Sequence, residues 1–273
     1  MTTPPPPSGP ERLQKVLARA GLGSRRAIEV LIEHRRVKVN GQLARLGDKV
    51  DPSKDEVEVD GSHVPLEPGL VYLLMNKPEG VVTTAHDPEG RVTVLDLIDQ
   101  DTRVWPVGRL DIGTEGALIL TNDGTLTHRL THPSYEVPKT YLAELSGHMA
   151  PAELKRLARG IDLEDGRTAP AKVQVLDRRP GACLVEITIR EGRNRQVRRM
   201  FEALGHRVQR LVRTSVGPLQ LGRLKGGTAR RLTPEEVRSL YAAVAQRLPS
   251  SSGRAGGGGE DPRSIPRGRG HAS

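Results

Sequence analysis

One stretch constrains this chain more than any other: Gly108-Arg109-Leu110-Asp111-Ile112-Gly113-Thr114-Glu115-Gly116-Ala117-Leu118-Ile119-Leu120-Thr121-Asn122-Asp123-Gly124. A Gly-flanked turn carrying Arg109 and Asp111 runs into the apolar segment 117–120, and Asn122-Asp123-Gly124 closes it with a strong turn signal. Four apolar residues between turns read as a buried strand more readily than as a helix. An acid in a Gly-rich loop at the mouth of such a strand sits where catalytic groups tend to lie. Most turn aspartates only bond nearby backbone, and Asp123 fits that role better than Asp111.

The charge balance narrows the partner. Across 273 residues the net charge is +9 and the pI about 10.0, which favours a polyanion. The excess is clustered. Between 12 and 38, Arg12, Lys15, Arg19, Arg25, Arg26, Arg35, Arg36 and Lys38 face only Glu29 and Glu33, whereas solvated helix faces usually interleave both signs. From 190 to 231, twelve Lys or Arg stand against two Glu, a net of +10 that exceeds the charge of the whole chain. Aromatic residues are only 2%, which argues against a protein that stacks many unpaired bases. The single Cys183 excludes an intrachain disulfide and a Cys-rich metal site, and reads as a small buried hydrophobe. No apolar run approaches the ~18 residues of a membrane span. The opening Met1-Thr2-Thr3-Pro4 lacks the regions of a secretory signal. A cytoplasmic protein with no membrane partner is expected.

Along the chain, residues 1–10 read as a disordered Pro-rich arm and 249–273 as a disordered basic tail. Residues 11–61 form a small unit. Leu13, Val16, Leu17 and Ala20 recur at helical spacing up to Gly21, and Ser24 can cap a second helix burying Ile28, Leu31 and Ile32. Segments 37–39 and 57–59 alternate and end in the hairpin signals Asn40-Gly41 and Asp60-Gly61. Two prolines and a glycine make 62–69 a linker, leaving 70–248 as a second domain. There, 71–75, 138–145, 171–176 and 182–190 read as strands, 94–98 as a helical turn, and 126–130 and 151–159 as helices. Asn194 is placed to cap a helix burying Val197, Met200, Phe201 and Leu204. Thr233-Pro234-Glu235-Glu236 is a capping box opening a last amphipathic helix. No phosphate-cradling glycine loop is present, and the i, i+4 pair His128 and His132 lacks the acid or Cys partner of a zinc site, so these read as surface or RNA-contacting histidines.

The stretch 108–124 resembles the signature of the RNA pseudouridine synthases. The likeness is strongest to the ribosomal branch, whose A type modifies small-subunit RNA and whose B type modifies large-subunit RNA. It departs mainly at Ala117, where that family usually carries Leu. Glu191-Gly192-Arg193-Asn194-Arg195-Gln196-Val197-Arg198-Arg199 matches a second motif of the branch, Lys139-Thr140-Tyr141 its K-x-Y, and Lys77-Pro78-Glu79-Gly80 its K-P-x-G turn, which has a mainly structural role there. Residues 13–32 and 37–41 are similar to the two-helix "alpha-L" RNA-binding module named after the fourth small-subunit ribosomal protein.

The resemblance implies an α+β protein: the small RNA-binding module, then a catalytic domain on a long, mainly antiparallel mixed sheet flanked by helices. It implies isomerisation of a specific uridine to pseudouridine in ribosomal RNA, with the wording of the 191–199 motif and the basic tail pointing to the large subunit. No cofactor and no metal is implied. Asp111 becomes the catalytic carboxylate, Tyr141 the ring against the base, and Arg198 the ion-pair partner of Asp111. Arg12, Lys15, Arg19, Arg25 and Arg26 of the module, with Arg109, Arg193, Arg195 and Arg199, are expected to hold RNA by backbone and shape. The target base must be flipped out of the folded RNA. Ribosomal RNA in an assembling large subunit is the expected partner, and a monomer the expected state. The alternatives are the same chemistry on small-subunit RNA or tRNA, and a non-catalytic RNA-binding assembly factor, which would need none of Asp111, Tyr141 and Arg198.

Overall fold

The computed structural model describes residues 9–245 except 53, 65, 67 and 68, with the side chains of 62 and 245 also left aside. Residues 1–8 of the proposed arm and the whole proposed tail therefore lie outside the described residues, as do 65, 67 and 68 of the proposed linker. The expectation that the linker starts at 62 is corrected, since Ser62–Val64 is a strand of the N-terminal sheet.

Near the N-terminus, helices α1 (Leu13–Arg19) and α2 (Arg25–Glu33) pack on a four-stranded sheet. Its strand order is Gln42–Leu43, Val37–Val39, Val57–Val59, Ser62–Val64. Ser24 Oγ accepts from Ala27 N at 3.1 Å, the expected cap of α2. Asn40 and Asp60 both take positive φ, as the tight hairpins require. Leu13, Val16, Leu17, Ile28, Ile32, Val37 and Val57 form a core separate from the rest of the molecule.

The remainder is built on a large sheet. Its main path runs Lys172–Arg179, Ala182–Ile189, Lys139–Ser146, Val208–Val216, Glu115–Thr121, Tyr72–Lys77, Ala229–Arg231. All neighbours are antiparallel except Val208–Val216 and Glu115–Thr121, which are parallel. The strands Tyr72–Lys77 and Glu115–Thr121 are buried on both faces, so they are largely continuous apolar runs, whereas Lys139–Ser146 alternates. Leu73, Met75, Leu118 and Leu120 face one core, shared with α4 (Pro151–Arg159) and α5 (Gln196–Glu202). Leu74, Ala117 and Ile119 face the other, covered by α3 (Gly124–Thr131) and α6 (Pro234–Ala245).

Asp123 is the N-cap of α3, accepting from Thr125 N and Leu126 N, and its other oxygen accepts from the hydroxyls of Tyr72 and Tyr241. It is thus a buried structural acid. The capping box of α6 forms between Thr233 and Glu236. Residues 94–97 make the expected turn, with Asp96 N donating to Thr93 O and Ile98 N to Leu95 O. One expectation needs correction. Asn194 does not cap α5: Arg195 takes that position in a left-handed conformation (φ 46°) without a side-chain cap. Gln196 Oε1 instead accepts from Arg193 N at 3.0 Å, which folds the loop into a tighter entry than a capping Asn would allow. Among the described residues, no helix is long and apolar enough to cross a membrane.

Candidate active site

Asp111 sits on a loop whose backbone is tied at five consecutive carbonyls. Leu110 O accepts from Thr83 Oγ1 at 2.8 Å, and Asp111 O from Thr114 N at 2.9 Å. Ile112 O accepts from Gly80 N at 2.9 Å and from Lys77 Nζ at 3.3 Å. Gly113 O accepts from Arg198 Nη2 at 2.5 Å, and Thr114 O from Lys77 Nζ at 2.9 Å. A loop with every acceptor used cannot drift, which is what a catalytic carboxylate requires of its support. The carboxylate itself forms no hydrogen bond or ion pair among the described residues, so its oxygens are left for a substrate.

Lys77 is the least expected member of this set. Its side chain is 0% exposed, yet it ends among three carbonyls, Pro78 O at 3.0 Å being the third. Burial pushes its amine down to about 8, opposed by the charges of Asp111, Glu115 and Glu79.

The Asp111 loop forms one wall of a cavity of about 420 Å³. Arg109, Lys139, Tyr141, Arg190, Arg193, Arg195 and Arg213 also line it. Tyr141 is only 8% exposed and lies on the strand Lys139–Ser146. Arg109 and Arg195 are exposed at the mouth. Arg193 is braced by Gly166 O at 2.8 Å and Arg167 O at 2.6 Å.

Comparison with known proteins gives the family. Residues 71–203 match the family model described as RNA pseudouridylate synthase, and residues 11–57 match the S4 domain. A protein of Bacillus subtilis (strain 168) named ribosomal large subunit pseudouridine synthase B is 49% identical over 236 residues, 85% of this chain and 96% of that one. The chain belongs to the RNA pseudouridine synthase family. An uncharacterised RNA pseudouridine synthase of Mycobacterium leprae (strain TN) is 48% identical over 242 residues, 87% of this chain and 94% of its own. A crystal structure of a pseudouridylate synthase superposes with TM-score 0.61 at 34% identity, covering 84% of this chain and 99% of that one. The enzyme is thus an RNA pseudouridine synthase with an N-terminal S4 domain, on a mixed α+β fold with a large, mainly antiparallel sheet.

Within the synthase the expected site residues fall into three groups. Asp111, Tyr141, Arg109, Arg193 and Arg195 surround one cavity. Arg198 does not line it. Among the described residues no ion pair joins Arg198 to Asp111, contrary to the expectation of a direct pair. The guanidinium lies behind the loop, with Nη1 on Val208 O at 3.1 Å and Nη2 on Gly113 O. Two buried carbonyls outcompete the carboxylate because a planar fork of donors can serve both at once. Burial holds Arg198 below its usual value, Arg195 adds to that, and the charge of Asp111 opposes it, so the two groups still sense one another. Arg199 turns away and pairs with Asp165 at 2.9 Å.

The S4-domain cations form the third group. Lys15 and Arg19 pair with Glu11 at 2.5 and 2.8 Å. Arg12 donates to Gly47 O at 2.5 Å. Arg25 and Arg26 are exposed and form no hydrogen bond or ion pair among the described residues. Lys15, Arg19 and Arg25 also line a second cavity of about 260 Å³ with Arg103 and Trp105, between the two domains.

Lys77, Lys139 and Arg213 were not among the sequence candidates. A lysine at the end of an otherwise apolar strand was a usable signal for Lys77. Arg213 was hidden because it counts equally well as one more surface cation in a basic region.

Proposed function

We propose that this synthase converts a uridine of large-subunit ribosomal RNA to pseudouridine, with Asp111 as the carboxylate that acts on the ribose–base unit. The observation carrying this reading is the rigid loop that presents an unengaged Asp111 carboxylate to a cavity with Tyr141 in its wall. The relative named ribosomal large subunit pseudouridine synthase B, 49% identical, supports the choice of RNA. The division of labour follows from position. The S4 domain, which extends past the expected boundary at 61 because the strand Ser62–Val64 belongs to its sheet and Leu66 to its core, grips structured RNA. Arg109, Arg193 and Arg195 at the cavity mouth take phosphates flanking the flipped nucleotide. The base lies on Tyr141, and the C1′ of its ribose faces Asp111. Arg198 is a positioning residue that holds the Asp111 loop.

The test maps pseudouridine in ribosomal RNA from cells with and without the protein, and from cells carrying Asp111→Asn. One large-subunit site should disappear in both deficient strains. Loss of a small-subunit or tRNA site instead would move the substrate while keeping the chemistry. An unchanged pseudouridine map would reject the reading.

A further inference from the structure

Arg213 is 4% exposed, yet it is a full cation with no carboxylate partner among the described residues. Its Nε donates to Ala117 O at 2.7 Å, which leaves both Nη groups without a described acceptor. Lys139 lines the same cavity, and its only described hydrogen bond is to Val137 O at 3.2 Å. Buried charges are normally paired, because desolvation is costly. Here a buried and a partly exposed cation share one wall of the cavity. Burial pushes Lys139 down to about 8, and the charge of Arg213 adds to the effect, so the pair is close enough to repel.

The backbone is arranged to keep them together. Lys139 and Tyr141 are two apart on one strand and so share a face. Arg213 is the register partner of Tyr141 on the neighbouring strand, across a bulge that follows Thr140. Bulges next to active sites re-aim side chains. On its other side Arg213 pairs with Gly116, whose φ is +108° and where a Cβ would stand 2.2 Å from Arg213 O. Only glycine permits that approach. The result is Lys139 and Arg213 on either side of the Tyr141 position.

We propose that Lys139 and Arg213 are catalytic residues that bind the carbonyl oxygens of the target uracil and stabilise it as an anion once it has left the ribose. This rests on the reading of the cavity as a pseudouridine synthase site. When the C1′–N1 bond breaks, its electron pair stays with the base, and the negative charge spreads over N1 and the carbonyl oxygens O2 and O4. Asp111 meets the electron-deficient C1′. The base turns, C5 supplies an electron pair to form the C1′–C5 bond, the C5 proton leaves to solvent, and N1 gains one. Atoms and electrons balance without a co-reactant. Donors fixed in advance where charge develops lower the barrier directly. A phosphate is the other anion in reach. It stays hydrated and fits the exposed arginines at the mouth, whereas the wall made by the buried Tyr141 and Arg213 fits the base.

The test uses the full-length enzyme with Lys139→Gln and Arg213→Gln, thermal unfolding being recorded for each. Lys139 is partly exposed, so its variant decides the matter if Arg213→Gln does not fold. Single-turnover rates at saturating enzyme should fall about 100-fold or more, the scale seen when one donor to a developing anion is removed, with RNA affinity unchanged within about threefold. RNA carrying 5-fluorouridine at the target supplies a more stable departing anion, so the variants should lose less in glycosidic cleavage on it than on uridine. A merely structural role would slow both RNAs equally, and that result overturns the proposal. So does a normal rate with weaker binding and a salt slope reduced by about one, which marks a phosphate site. Failure of the wild-type enzyme to form pseudouridine would instead reject the underlying reading.

Discussion

Lys77 Nζ donates to Thr114 O at 2.9 Å from a side chain with no exposed surface. The contact crosses from the end of the strand Tyr72–Lys77 to the residue preceding the strand Glu115–Thr121. Those two strands are hydrogen-bonded neighbours, and the Asp111 loop leads directly into the second. A buried ammonium therefore clamps the Asp111 loop to the strand pair beneath it. Its Coulombic partners are the acids nearest the site, Asp111 first among them.

The depressed pKa of Lys77 makes this clamp visible in a titration. Its value falls from 10.5 to about 8, with burial as the leading cause. Between those pH values the unfolded chain still holds a proton that the folded chain has released, so stability rises with pH across the window. One group contributes at most about 1.4 kcal/mol per pH unit. Below about pH 8 the buried charge costs stability without further change. Urea denaturation of wild type and Lys77→Met from pH 7 to 10 should show the wild type gaining on the variant above pH 8. Parallel curves would mean that Lys77 is not the buried cation described.

Asp111→Asn should abolish pseudouridine formation and leave RNA affinity nearly intact. One carboxylate among the cations of the cavity contributes little to holding a polyanion, and its loss should if anything ease electrostatic repulsion. The loop itself is held by backbone carbonyls that the substitution does not touch. Measurable turnover in the Asn variant would remove Asp111 from the chemistry.

How much of this was legible beforehand depended on whether a residue works alone or across the fold. Ser24 and the Thr233–Glu236 box act within a few residues of themselves, and their helices were readable. The strand Val208–Val216 escaped notice because Arg210 and Arg213 interrupt its apolar run. Asp111 and Tyr141 stood out through motif resemblance, and the cavity they share depends on strands far apart in sequence. The partner of Arg198 was misjudged for the same reason. An arginine's choice between a carboxylate and two carbonyls is settled by the placement of Val208 and Gly113, which local spacing does not encode.

Removing residues 1–66, which takes the strand Ser62–Val64 and Leu66 with the rest of the S4-side unit, should weaken binding to structured RNA and leave the remaining domain folded. The S4-side core of Leu13, Val16, Ile28 and Val57 is distinct from both cores of the large sheet. Cations lost with it include the unpaired Arg25 and Arg26, so the salt dependence of binding should flatten as well. Thermal unfolding and RNA titration of the truncated protein test the two halves of the statement. A truncated chain that fails to fold would refute the boundary, and unchanged affinity would refute the role.

Neutralising Arg198 should harm catalysis far more than neutralising Arg199, although the two are adjacent. Successive helix positions point about 100° apart, and these two go to different places. Arg198 bridges Gly113 O and Val208 O, tying the Asp111 loop to the strand Val208–Val216. Arg199 pairs with the exposed Asp165, and the surface position of that pair makes it worth little to stability. Arg198→Met leaves two partly buried carbonyls without donors, at about 1–3 kcal/mol each, and frees the loop at the residue two beyond Asp111. Since misplacement by about 1 Å can cost about 100-fold in rate, the single-turnover rate should fall on that scale with RNA affinity retained. Arg198→Lys should rescue poorly, because a single ammonium lacks the planar fork that reaches both carbonyls. Arg199→Met should keep the rate and at most lose one phosphate contact, reducing the salt slope by about one. A lysine at 198 that restores full rate would show that charge near Asp111, rather than the bridge, is what matters. A normal rate in Arg198→Met would mean that the loop is held well enough by Lys77, Thr83 and Gly80 alone.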